Sequence, residues 1–143
     1  MGQSIKTQLN HCLFFSVKKL DRVLNKYAEQ AFKSVGLAPT YGFILLVLRE
    51  KDGQAQKNIA ETLATAPSTI ARFVERLKYQ NLVTVKSQGR LAKVYLTQTG
   101  IQKAAEVEAA WRALHAAYEK VIGQAYSAEL ATALSQSAEQ LKN

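Results

Sequence analysis

The sequence predicts a mainly α-helical fold with one small β-hairpin, and three observations lead there. Apolar residues recur at three- and four-residue intervals through most of the chain, as they do along one face of a helix. Between residues 82 and 97 that period gives way to two short β-favouring runs around a turn cluster. With 143 residues, 48% of them hydrophobic, the chain has the size of one domain and enough apolar side chains for a packed core.

From Ile5 to about Val35 the pattern predicts one long helix, with Leu9, Leu13, Leu20, Leu24, Tyr27 and Ala31 near one stripe and Gly36 ending it. Pro39 or Thr40 opens a second helix through Tyr41, Ile44, Leu45 and Leu48 that stops at the Asp52–Gly53 turn. It is apolar almost all round, so a central place in the core is expected. A third, short helix from about Gln56 to Ala64 buries Ile59, Ala60 and Leu63, and breaks at Thr65–Ala66.

The stretch from Pro67 to Asn81 forms the next helix, and it has two faces. Ile70, Phe73, Val74 and Leu77 make an apolar stripe. Ser68, Thr69, Arg72 and Arg76 lie on the other side with Lys78 beyond them, offering hydroxyls and guanidinium forks suited to base edges and phosphates. Pro67 suits a first helical turn, and Asn81 tolerates the left-handed conformation that ends a helix. Two short helices joined by a tight turn make a helix-turn-helix. Leu82–Lys86 and Lys93–Thr97 then read as two strands around a Ser87–Arg90 turn, a hairpin with a basic tip. A hairpin in that place is a wing, with Arg90 set to reach a minor groove while the preceding helix occupies the major groove. The fold expected is therefore a winged helix-turn-helix.

A second long helix runs from Thr97 to about Ile122, with Trp111, Leu114, Tyr118, Val121 and Ile122 on one side and Gly123 as its stop. Ser127 is expected to cap a last helix carrying Leu130, Leu134 and Leu141. These terminal helices hold more apolar surface than a small winged module needs. A two-fold homodimer would bury it and would space two recognition helices for a palindromic site. The organisation expected is a single domain, with a DNA-binding lobe over residues 37–97 flanked by dimerisation helices over 5–35 and 98–143.

Net charge is +8, and it is concentrated. Seven cations face two acids from Gly53 to Thr97, a local +5, whereas four cations face five acids after Thr97. A positive field of that kind favours a polyanion such as double-stranded DNA. No apolar run approaches the ~20 residues that span a bilayer, and no signal-peptide pattern is seen, so a cytoplasmic protein away from membranes is expected. One cysteine and two histidines provide neither an internal disulfide nor a conventional structural zinc set, and no cofactor is expected. Without a Gly-rich phosphate loop, a nucleophile elbow or paired metal ligands, the chain does not read as an enzyme.

Taken together, Asn58–Ala64, Ser68–Leu77, Asn81–Val83 and Val94–Thr97 with Gly100 are similar to the MarR family of transcriptional regulators, and the resemblance covers essentially the whole chain. Members are dimeric winged-helix DNA-binding proteins, commonly repressors released by a small ligand or by thiol oxidation. By position, the resemblance implies that Ser68, Thr69 and Arg72 face the major groove and that Arg76 and Lys78 lie nearer the backbone. Arg90 is then the wing-tip arginine, with Lys93 on the same basic wing. The chain departs from the family twice: Gln88–Gly89 stand where an aspartate usually precedes the wing arginine, and Asn81 stands where glycine is common. The resemblance also makes Cys12, with Tyr27 and Tyr41, candidates for peroxide sensing. Phe15, Tyr27, Tyr41, Trp111 and Tyr118 are candidates to line a cavity for a small aromatic ligand. The alternative reading is a winged-helix protein-interaction module or anti-repressor with weak DNA binding, in which Arg72 and Arg76 contact acidic partner residues.

Overall fold

The computed structural model describes residues 2–142. They form two compact units: residues 32–112, and residues up to Ala31 together with those from Ala113 onward. No helix among the described residues is long and apolar enough to cross a membrane.

The unit of residues 32–112 contains α3 (Pro39–Glu50), β1 (Gln54–Ala55), α4 (Gln56–Thr62), α5 (Pro67–Tyr79), β2 (Val83–Gln88), β3 (Leu91–Leu96) and the first part of α6 (Gln98–Ile122). As expected, α3 is central: Ile44, Leu45 and Leu48 are fully buried, together with Ile59 of α4, Ile70, Val74 and Leu77 of α5, Val83, Val94 and Val107. Each such side chain contributes about 1.5–3 kcal/mol of burial, so this cluster is what holds the two short helices in place. Gly42 lets α3 and α6 approach closely, since a Cβ there would lie 2.9 Å from a Val107 methyl.

The two helices of the helix-turn-helix end alike. Ala64 (φ 50°) and Asn81 (φ 63°) both take the left-handed conformation. Behind them Thr65 N–H donates to the Ala60 carbonyl and Leu82 N–H to the Leu77 carbonyl, the wide bond that closes a Schellman turn. The third helix accordingly stops at Thr62 rather than Ala64, and Leu63 is only half-buried.

The sheet was only partly foreseen. Its order is β1-β3-β2, all antiparallel, and β1 is a two-residue strand pairing Gln54 with Val94 and Ala55 with Lys93. The Asp52 carboxylate accepts a hydrogen bond from Leu96 N–H at 2.9 Å, which pins the approach to β1 against β3. The hairpin strands are longer than expected and the turn tighter. Ser87 and Gln88 belong to β2, pairing with Ala92 and Leu91, and only Gly89 (φ 64°) and Arg90 remain as the turn. Two residues suffice because glycine supplies the positive φ that a tight hairpin turn needs.

Thr97 joins the wing to α6. Its N–H donates to the Leu82 carbonyl, its hydroxyl to the Asn81 carbonyl at 2.7 Å, and the same oxygen accepts from Gly100 N–H at 2.9 Å, so it caps the helix that starts after it. Gly100 is required here, because a Cβ would overlap the Leu82 carbonyl oxygen.

The other unit contains α1 (Ile5–Asn10), most of α2 (Leu13–Phe32), the end of α6 and α7 (Gln124–Leu141). The single long first helix of the sequence reading is broken at His11–Cys12. His11 and Cys12 donate backward to Gln8 and Leu9, tightening the last turn of α1. The Asn10 carbonyl is taken by the Ser16 hydroxyl at 3.2 Å and its side chain by Lys19 at 3.1 Å, and such local polar partners compete with helix continuation. A second correction concerns α7, which starts directly after Gly123 (φ 92°). Ser127 therefore lies inside the helix, its hydroxyl donating back to the Gln124 carbonyl, and is not the cap. Ile5, Leu13, Phe14, Val121, Tyr126 and Leu141 leave apolar surface exposed on these helices.

Candidate nucleic-acid interface

The apolar face of α5 is sealed: Ile70, Val74 and Leu77 have no exposed surface. Phe73, expected in the same stripe, is half-buried and instead stacks on Tyr41 of α3, with ring centroids 4.3 Å apart and planes 26° apart. With that side fixed, the opposite side is presented to solvent. Ser68, Arg72, Arg76 and Lys78 are exposed and Thr69 is half-buried. At about 100° per residue, Ser68, Arg72 and Tyr79 fall within about 40° of one another, with Arg76 and Lys78 about 80° from Ser68 on opposite flanks. The Arg72 guanidinium lies 6.0 Å from the centre of the Phe73 ring.

Two residues on this face, Glu75 and Tyr79, were not among the sequence candidates. Tyr79 is 91% exposed, an unusual state for an aromatic side chain, and lies seven residues beyond Arg72 on the same stripe. The helical period alone was enough to place both.

The wing carries its charge on one side. Val83 and Val94 are buried on the inner face of the hairpin, and alternation along the strands turns Lys86 and Lys93 outward, directly opposite each other. Lys93 is half-buried, while Lys86 is exposed with its ammonium 5.1 Å from the centre of the Tyr95 ring. Arg90 stands exposed at the tip. Lys86, one of the seven cations of the basic stretch, was not among the candidate DNA contacts; its place opposite Lys93 depends on the register that the two-residue turn sets. Tyr95 in turn lies on Gly53 (φ 68°), where a Cβ would come within 2.6 Å of the ring.

The candidates for effector sensing divide between the two units, with Cys12, Tyr27 and Tyr118 in one and Tyr41 and Trp111 in the other. Cys12 is exposed at the break between α1 and α2. Tyr27 lines a cavity of about 460 Å³ with Lys26, Gln30, Ala31, Ala113 and Ala117. Trp111 lines another, of about 680 Å³, with Phe43, Arg49, Gln54 and Leu63 among its walls. Tyr41 is occupied by Phe73. Tyr118 sits 5.6 Å from the His115 ring; burial, and secondarily the Glu119 charge, push its hydroxyl above the ordinary tyrosine value. Beside the larger cavity, Glu108 accepts from Arg49 at 2.9 Å and from Arg112 at 3.0 Å. The Arg49 hydrogen bond is the largest influence holding that carboxyl below its usual value, with the Arg112 charge adding to it.

No family model matches the chain, and no curated protein sequence does. Solved structures match it along most of its length. The regulator CouR from Rhodococcus jostii, bound to p-coumaroyl-CoA, is 21% identical with a TM-score of 0.79, and the match covers 96% of each chain. The transcriptional repressor CouR on a 23-mer DNA duplex is 18% identical with a TM-score of 0.84, covering 96% of this chain and 99% of that one. A MarR-family transcriptional regulator from a Rhodococcus species is 19% identical with a TM-score of 0.78, covering 96% and 98%. At these identities the likeness is one of fold. The chain has the winged helix-turn-helix fold of MarR-family transcriptional regulators.

Proposed function

We propose that this protein is a cytoplasmic, sequence-specific double-stranded DNA-binding transcriptional regulator, a homodimeric repressor released by a small ligand or by oxidation of Cys12. The observation that carries this reading is the two-sidedness of α5. One face is locked into the core by Ile70, Val74 and Leu77, and the other offers Ser68, Arg72 and Arg76 beside a wing bearing Lys86, Arg90 and Lys93. Basic side chains on the wing and helix flanks neutralise phosphates and release counterions, while hydroxyl and arginine contacts to base edges discriminate by about 1–3 kcal/mol per good bidentate pair. No step of this activity calls for catalysis.

Apolar side chains left exposed on α1, α2, α6 and α7 support the dimer, since patches of this kind mark protein contacts. Two copies related by a two-fold axis present two copies of α5 to successive turns of a palindromic operator. The ligand-bound regulator among the structural neighbours supports effector control. The cavities at Tyr27 and at Trp111, each with an aromatic ring in its wall, are the places where an aromatic effector fits.

The test is fluorescence anisotropy on duplexes from the protein's own upstream region and on a random duplex, titrated from low to physiological salt. Tight binding to one duplex with a steep salt slope is expected. Weak and equal binding to all of them would overturn the reading and favour a protein-interaction module. Sedimentation at tens of micromolar tests the dimer, and a monomer there would refute it.

A further inference from the structure

Glu75 is the one acidic residue of α5, and it stands on the face turned to solvent. By helical angle it lies about 20° from Ser68 and about 60° from Arg72, inside the outward stripe and not on a flank. Arg72 and Lys78 are three residues away on either side, within reach of an intrahelical pair. Among the described residues, however, the ion pairs are Arg49–Glu108, Lys103–Glu106, Arg112–Glu108 and Lys142–Glu139, and none involves Glu75. A free carboxylate thus sits in the middle of a surface that is otherwise cationic or neutral.

On a surface that only attracts phosphates, this placement works against binding, because the carboxylate repels the backbone and gains nothing from a generic duplex. It gains when a donor meets it. In the major groove cytosine presents the N4 amino group as its hydrogen-bonding feature, and a carboxylate accepts from it well. Adenine also offers an amino group, but beside the N7 acceptor, which a carboxylate repels; guanine and thymine present acceptors at this edge. Three residues along α5 advance about 4.5 Å, close to the 3.4 Å spacing of base pairs, so Arg72 and Glu75 address neighbouring base pairs when the helix lies along the groove.

We propose that Glu75 is a specificity-determining residue of the recognition helix, its carboxylate accepting from the N4 amino group of a cytosine next to the base pair read by Arg72. The proposal rests on the DNA-binding reading above. Its effect is to lower affinity for every duplex without that cytosine, so that discrimination comes from repulsion as well as attraction.

The experiment is selection from a randomised 24-base-pair duplex pool by the full-length protein and by Glu75→Gln and Glu75→Ala, followed by anisotropy on four duplexes that differ only at the selected pair. The unchanged protein is expected to select a C·G pair at one position of each half-site, preferred about tenfold over the other pairs. Glu75→Gln should shift that one position toward A·T, as an amide pairs with adenine, and Glu75→Ala should flatten it. Both should keep the rest of the motif and bind a random duplex more tightly than the unchanged protein. An identical motif with identical preferences in all three proteins would overturn the role of Glu75 while leaving DNA reading intact. If no protein of the three enriches any sequence, the DNA-binding reading itself falls, and this proposal with it.

Discussion

Tyr41 stacks on Phe73, the rings 4.3 Å apart at their centroids and 26° from parallel, and this contact ties the start of α3 to the middle of α5. A stacked pair is worth about 0.5–1.5 kcal/mol beyond the area it buries. Tyr41→Phe should keep both the stack and the stability. Tyr41→Leu and Phe73→Leu should each destabilise, and a double-mutant cycle by urea denaturation should show coupling of that size. Additive losses would mean that the two rings stabilise the fold separately.

Contacts to bases and to phosphates separate by their response to sequence and salt. Arg72→Ala should reduce binding to the operator by about tenfold or more while changing random-duplex binding little. Lys86→Ala and Arg90→Ala should weaken both equally and lower the salt slope by about 1 each. Anisotropy on the two duplexes at several salt concentrations measures both. Equal losses for Arg72→Ala on the two duplexes would make it a phosphate contact.

Ala64 closes α4 at φ 50°, a conformation that glycine adopts without the steric cost an alanine Cβ brings. Ala64→Gly should therefore stabilise the protein by up to about 1 kcal/mol, read as a rise in urea midpoint at unchanged slope. Asn81, at φ 63°, is better suited to this region, and Asn81→Gly should gain less.

Glu108 gives the fold a pH dependence of known sign. Its folded-state value is lowered by the hydrogen bond from Arg49, with the Arg112 charge adding to it. Its contribution is therefore fully present above the ordinary glutamate value and is lost as pH falls through the lower folded-state value. The stability difference between the unchanged protein and Glu108→Gln should be constant near neutrality and vanish in acid, as followed by denaturation from pH 7 to pH 3. A difference that does not shrink would assign the effect of Glu108 to packing.

Much of this architecture follows from local chemistry and is legible in the order of the residues. The 3.6-residue period located α3, α5 and α6, and Gly36, Gly53, Asn81 and Gly123 marked stops because each occupies a left-handed backbone position. The outward stripe of α5 was legible because burial of Ile70, Val74 and Leu77 leaves Ser68, Arg72 and Arg76 nowhere to point but outward. The rest depends on contacts between residues distant in the chain. β1 is two residues long and carries no period; it exists because β3 supplies its hydrogen bonds and Asp52 holds its approach. The register that sets Lys86 opposite Lys93 depends on where the hairpin turns, and one residue of slip in β2 would send Lys86 to the other face. The pairing of Tyr41 with Phe73 arises from packing between elements. A helical period records which face of a segment is buried, but not which side chain it meets there.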